Sequence, residues 1–155
     1  MKQIYYLTNT DLGWERKDIA SINLLYPDND FEAIADKIKQ FSCTREVVSG
    51  HCCLLPQSSG LSQTFTNWDG KEDAVKSIDM RCLWNCEKTV SFYNLKLLAG
   101  EMVKSTETNK IMINESAVKA LGMSDPIGKK LYQQTQASTI VGIIKDFHIL
   151  SLIHI

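Results

Sequence analysis

The sequence predicts a mixed α/β (α+β) fold, and three observations carry that prediction. Residues 19–55 read as strand, helix, strand, a βαβ-type or split βαβ unit. Residues 110–148 read as strand, short capped helix, proline–glycine turn and β-hairpin. At 155 residues, 44% hydrophobic and 23% charged, the chain can bury a core without metals or staples. Its length suits one domain or two small subdomains.

In chain order, Ile4, Tyr5 and Leu7 read as the tail of a helix, and Asp11-Leu12-Gly13 reads as a turn. Ile19 to Leu25 alternates as a strand does. Pro27-Asp28-Asn29-Asp30 is a helix-start cluster, with Glu32 three residues after Asn29 as in a capping box. Phe31, Ile34, Ala35, Ile38 and Phe41 then recur at helical spacing, and that stripe reads as a core-facing surface. Glu46 to Leu55 forms the second strand, ended by Pro56.

The polar, turn-rich run Gln57 to Gly70 reads as a loop, with Trp68 as its packed anchor and an exposed recognition aromatic as the alternative. Residues 74–83 read as a strand whose apolar positions do not share one parity, which calls for a bulge or register change. Glu87 to Leu98 favours a short helix that turns extended by Lys96, and Gly100 ends it. Glu101 to Asn109 is a charged loop. Ile111 to Ile113 is a short buried strand. Asn114 is placed to cap a helix over 115–121, where Glu115 meets the positive N-terminal end. Gly122 stands where a left-handed C-terminal residue is wanted. Pro126 and Gly128 mark a turn. Lys129 to Gln133 and Thr139 to Lys145 then pair as a hairpin across QTQAS, with Ile140 to Ile144 as its more buried arm.

Composition excludes several function classes. The net charge is −1 with both signs interspersed, so no basic stripe points to nucleic acid or to an anionic lipid surface. No apolar run approaches the roughly 20 residues of a membrane helix. The opening MKQIYYLTNTDLGW lacks the apolar core of a secretory signal. Taken alone, the chain reads as soluble and cytoplasmic. The five cysteines are odd in number and irregular in spacing, unlike a disulfide framework. His51 beside Cys52, and Cys82 with Cys86, lack the paired short spacing of a structural zinc site. Free, half-buried thiols are expected, with one disulfide left open in an oxidising compartment. No metal and no cofactor are expected.

One pair invites a catalytic reading. Asp146 and His148 follow a buried strand, where α/β enzymes place reactive groups. A histidine oriented by a carboxylate needs a nucleophile, and Ser49, Cys52 and Ser151 are available. None sits in a GxSxG elbow. Residues two apart on a strand share a face without having to touch. The pair therefore reads first as a cap on the strand end, and a small hydrolase using His148 and Asp146 is the rival. Gly128-Lys129-Lys130 lacks a preceding glycine loop and leads into a strand, so it is no phosphate loop.

The ordered motifs resemble those of a known family. INESAVKALGMSDPIGKKL followed by TIVGIIKDFHILSL is similar to the periplasmic core domain of MacB-like, FtsX-family ABC transporter permeases of the Bacteroidetes type. The residues that carry the likeness are Asn114, Glu115 and Ala117, then Ala120-Leu121-Gly122, Pro126 and Gly128. Ile140 to Lys145, Asp146-Phe147-His148 and Ser151-Leu152 complete it. YYLTNTDLGWERKDIASINL resembles the segment leaving the family's first membrane helix. LKLLAGEM resembles a further motif, with Glu101 where Arg is usual.

The resemblance implies one extracytoplasmic domain over residues 1–155, held between membrane helices on the periplasmic side of the inner membrane. It implies two lobes, a βαβ-rich porter-like part from 18–56 and 138–155 and an inserted smaller α/β part from 57–137. It implies no catalytic residue, and architectural roles for Asn114, Glu115, Gly122, Pro126, Gly128, Asp146, Phe147 and His148. The implied partners are a cytoplasmic ABC ATPase, reached through the whole permease, and a periplasmic or outer-membrane protein. The full transporter would be a homodimer or heterodimer and the isolated domain a monomer. Family substrates include antimicrobial peptides, macrolides and lipoproteins. A stand-alone peptide- or protein-binding module is a further alternative.

Overall fold

The computed structural model describes residues 12–13, 17–22, 31–48, 62–72, 74–82, 86–104, 106–133 and 136–148. Its fold is mixed α/β. In chain order the elements are α1 (Phe31–Lys39), β1 (Ser62–Phe65), β2 (Asn67–Trp68), β3 (Ile78–Arg81), α2 (Cys86–Phe92) and β4 (Leu97–Gly100). They continue with β5 (Lys110–Asn114), α3 (Glu115–Ala120), β6 (Lys130–Gln133) and β7 (Gln136–Ile144).

Strand β7 is the hub. Its residues 139–144 pair in parallel with β5. Its N-terminal half pairs antiparallel with β6, and its C-terminal half pairs antiparallel with β4. A strand has only two edges, so β5 holds one of them while β6 and β4 share the other, end to end. Strand β2 extends the sheet beyond β6, and β1 with β3 makes a separate two-stranded sheet. The parallel β5–β7 pair is joined by a crossover through α3 and β6, and the two strands are direct neighbours.

Each face of this sheet carries its own core. Phe65, Trp68, Ile113, Leu121, Met123, Leu131 and Ile140 fill one, and Val90, Tyr93, Leu95 and Ile144 fill the other. Ile140 and Ile144 are an even number of residues apart and would share a face on a regular strand. They lie in opposite cores because the register shifts between the Ile111–Ile140 and Met112–Gly142 pairs. Val141 is the extra residue, and this bulge turns every later side chain to the other face.

Several expectations change. Residues 19–22 and 46–48 are not strand. Alternation alone gives no neighbour to pair with, and Ile22 remains 67% exposed. Residues 62–65 and 67–68, expected as loop, are strands because Phe65 and Trp68 find partners at Ile78 and Leu131. Over the paired residues Ile78–Arg81, β1 and β3 keep one register; the register shifts among the described strands fall in β4 and β7. Helix α1 is where its stripe placed it, but it stops at Lys39. Phe41 drops off the stripe and is 65% exposed. The hairpin's second arm starts at Gln136, three residues earlier than expected. The expectations for Ile4, Tyr5 and Leu7, for residues 23–30, for Ser49, His51, Cys52, Cys53 and Pro56, and for Ser151 and Leu152 lie outside the described residues.

Candidate functional site

The residues singled out in the sequence gather around α3, in two groups. The first is at its N-terminus. The strand β5 ends in Asn114, whose backbone is extended (φ −90°, ψ 169°), and its side-chain oxygen accepts the Ala117 N–H at 3.1 Å. One free donor of the first turn is thereby satisfied. The next is taken by a residue from the far end of β7. Asp146 Oδ1 accepts the Ser116 N–H at 2.8 Å, and its Oδ2 accepts the Ser116 hydroxyl at 2.7 Å. In return Glu115 Oε2 accepts the Asp146 N–H at 3.2 Å. Two carboxylates at this end also suit the positive pole of the helix.

The same junction receives the N-terminal segment. His148 donates its backbone N–H to the Leu12 carbonyl at 2.8 Å. Gly13 has φ 78°, and a Cβ there would stand 2.5 Å from the Asp146 carbonyl oxygen and 3.0 Å from Phe147 Cα. Only glycine allows both this backbone and this approach. Phe147 packs its ring against the core of Val90, Tyr93, Leu95 and Ile144, and Ile19 joins the same cluster. The segments at 12–13 and 146–148 thus lie side by side.

The second group closes the other end of α3. The Gly122 N–H reaches the Lys119 carbonyl at 3.1 Å and the Met123 N–H reaches the Val118 carbonyl at 3.3 Å, a Schellman closure with Gly122 at φ 66°. The Leu121 carbonyl, which helix geometry leaves without a partner, accepts the Trp68 indole N–H at 3.1 Å. Trp68 is buried, and Lys71 holds its ammonium 5.3 Å from the ring centre. Beside it, Asp69 accepts the Lys130 N–H at 2.8 Å and the Tyr132 hydroxyl at 3.2 Å. Burial, and then the Asp69 charge, push the Tyr132 phenol above its ordinary value. Pro126 is buried and its carbonyl accepts the Lys129 N–H, while Gly128, at φ 87°, donates to Ile140 and seats the hairpin on β7.

The structure therefore brings Asn114, Glu115, Asp146, Phe147 and His148 to one end of α3. Gly122, Pro126 and Gly128 shape the other end and the turn that follows. Sequence reasoning passed over Ser116, Gly13 and the Trp68–Leu121 bond. A serine after a capping Asn and the glycine of Asp-Leu-Gly were signals. The reach of Asp146 across 30 positions has no local trace. Both Asp146 carboxylate oxygens are engaged by Ser116, and His148 is exposed. Cys43 is a free, exposed thiol, whereas Cys82 is half-buried and its Sγ donates to Gln63 Oε1 at 3.2 Å. Among the described residues, no group of three or more His, Cys, Asp or Glu is placed to hold a metal ion. Nor is any helix long and apolar enough to cross a membrane.

No protein-family model matches this chain, and no curated protein does. Among solved structures, the chain is similar to a domain assigned to a permease protein from Porphyromonas gingivalis, at 22% identity and a TM-score of 0.40. That match covers 56% of this chain and 43% of the other. It is also similar to the periplasmic region of MacB from Actinobacillus actinomycetemcomitans, at 16% identity and a TM-score of 0.43. There the match covers 74% of this chain and 50% of the other. The chain thus spans half or less of these two solved structures.

Proposed function

We propose that this chain is the periplasmic domain of an inner-membrane ABC transporter permease, without catalysis of its own. It would couple ATP hydrolysis on cytoplasmic subunits to substrate export or extraction, or to the action of a partner protein. The observation that carries this reading is the clasp between the two end segments. The Leu12 carbonyl accepts the His148 N–H, and Gly13 is pressed on Asp146 and Phe147. A domain inserted between two membrane helices must receive and return the chain at one place, and this junction supplies one. The family motifs sit at that junction and along α3, where each satisfies backbone groups or packs a core. The two-lobe organisation, the dimeric transporter, the ATPase and the periplasmic or outer-membrane partner belong to the same proposal.

The engagement of both Asp146 oxygens in capping α3 favours this reading over the hydrolase, whose histidine needs that carboxylate. Unchanged residual ester hydrolysis in His148→Ala is expected. A loss of activity on an ester panel would revive the hydrolase.

The side of the membrane can be tested through Cys43, an exposed free thiol. In the protein expressed in its own membrane, with the other four cysteines replaced by serine, a membrane-impermeant maleimide should label Cys43 in intact cells. Labelling that appears only after the inner membrane is broken would overturn the proposal.

A further inference from the structure

Helix α3 is held at both ends by side chains that come from elsewhere. At its N-terminus Asp146, in the segment leaving β7, grips Ser116 through both backbone and hydroxyl. At its C-terminus the Trp68 indole of β2 grips the Leu121 carbonyl. Between them Ala117 and Val118 pack on the core that contains Trp68 and Leu121. The helix is six residues, about 9 Å of stiff backbone. A short helix fixed at each end passes on a displacement instead of absorbing it, because it shifts as a unit.

We infer that α3 is a coupling strut: movement of the exit segment at Asp146 is relayed along the helix to Trp68 and the β2 edge of the sheet. Asp146 acts here as a positioning residue. The strut would give the proposed transporter a route from the membrane-facing junction into the body of the domain. It rests on that reading for its purpose alone. The isolated chain tests it without any membrane, so either can fail while the other stands.

The test reads the Trp68 indole N–H by NMR in the 155-residue chain, with Trp68→Phe identifying the resonance. In Asp146→Ala the indole N–H should shift and exchange with solvent about fivefold faster, the factor expected when one helix cap is lost. Asp146→Asn keeps an acceptor for the Ser116 N–H and should restore part of the protection. Ile144→Val, which lightens the opposite core, controls for general destabilisation and should leave the indole nearly unmoved. If Asp146→Ala does not fold, Ser116→Ala removes one of the two bonds and should still move the Trp68 resonance. An unmoved indole in the folded variants, with protection lost only at Ser116 and Ala117, would overturn the inference. So would an effect no larger than that of Ile144→Val.

Discussion

The two faces of the central sheet are built differently. Among the described residues, one holds seven buried side chains, two of them, Leu131 and Ile140, almost without exposure, against four on the other. The cover of the larger, sealed core comes from within the fold: β1, β3 and α3. The other has four buried residues and is completed by α2 and by the two end segments, through Ile19 and Phe147. The sealed face fixes the fold. The thinner face is where the parts of the chain that enter and leave are docked. Displacing the end segments should therefore disturb the smaller core first and leave the larger one closed.

The largest effect should separate the faces directly. Ile140 is fully buried in the sealed core and Ile144 is 7% exposed in the thinner one. Truncating a buried Ile to Ala removes contacts and leaves a cavity, at about 2–5 kcal/mol depending on how far the site can collapse. Ile140→Ala should fall near the top of that range, about 4 kcal/mol. Ile144→Ala should fall near the bottom, about 2 kcal/mol, since that side chain is less completely enclosed. Urea unfolding midpoints at constant slope would measure both. Equal losses would erase the distinction.

Next comes the dock itself. In Gly13→Ala a Cβ meets the Asp146 carbonyl in a backbone region that costs an L-residue about 1–2 kcal/mol. The expected result is release of the N-terminal segment and not unfolding. Amide exchange at His148, whose N–H is held by Leu12, should quicken by about tenfold or more, while Ile140 stays protected. Loss of protection in both places would mean that the two faces are one cooperative unit.

How much of this could be read in the sequence depends on whether the signal is local. The run from β5 to β7 was legible because each part announces itself within a few residues. Asn114 stands before a helix, Gly122 stands after it, Pro126 and Gly128 mark the turn, and two apolar arms flank a polar link. The residues around Phe65 and Trp68 were not legible. Their strands are short and mostly polar, and their pairing depends on partners at Ile78 and Leu131, the latter 63 positions from Trp68. Tertiary context overrides weak β-propensity in such segments. Val141 was equally silent, since an unbroken apolar run does not show where an extra residue turns the pleat. Asp146 stood out in the sequence, but its true partner is a helix start 30 residues earlier and not the histidine beside it.

A smaller effect tests α3, which packs on the sealed face. Asn114→Ala removes the acceptor for the Ala117 N–H and should cost about 1 kcal/mol. The Asp146 cap remains, so Asn114→Ala with Asp146→Ala should cost more than the sum of the two single changes. Two caps on adjacent donors of one short helix are coupled, and strict additivity in the double-mutant cycle would show that they act independently.

The smallest effect belongs to the ion cluster that leads into β5, at an edge of neither core. Lys110 Nζ lies 2.8 Å from Glu107 and 3.2 Å from Glu101, and Glu107 also accepts the Lys104 N–H at 3.1 Å. The bond from Lys110, aided by the Lys104 N–H, holds the Glu107 carboxyl below its ordinary 4.5. The same carboxylates, Glu107 first, hold Lys110 above its ordinary 10.5. A carboxyl lowered by folding adds stability that is present above its unfolded value and lost as pH falls through the folded one. A lysine raised by folding adds stability that is complete below 10.5 and lost as pH rises through its folded value. The loop should thus stay ordered between these limits, with the Lys104 amide as reporter. Its exchange, corrected for intrinsic rates, should be flat from mildly acid to mildly alkaline pH and should quicken once Glu107 takes up its proton. Exposed pairs are screened, so 1 M salt should blunt the change, and Lys110→Gln should move the Glu107 titration back towards 4.5. A Lys104 amide indifferent to both would mean that the loop is held by its backbone alone.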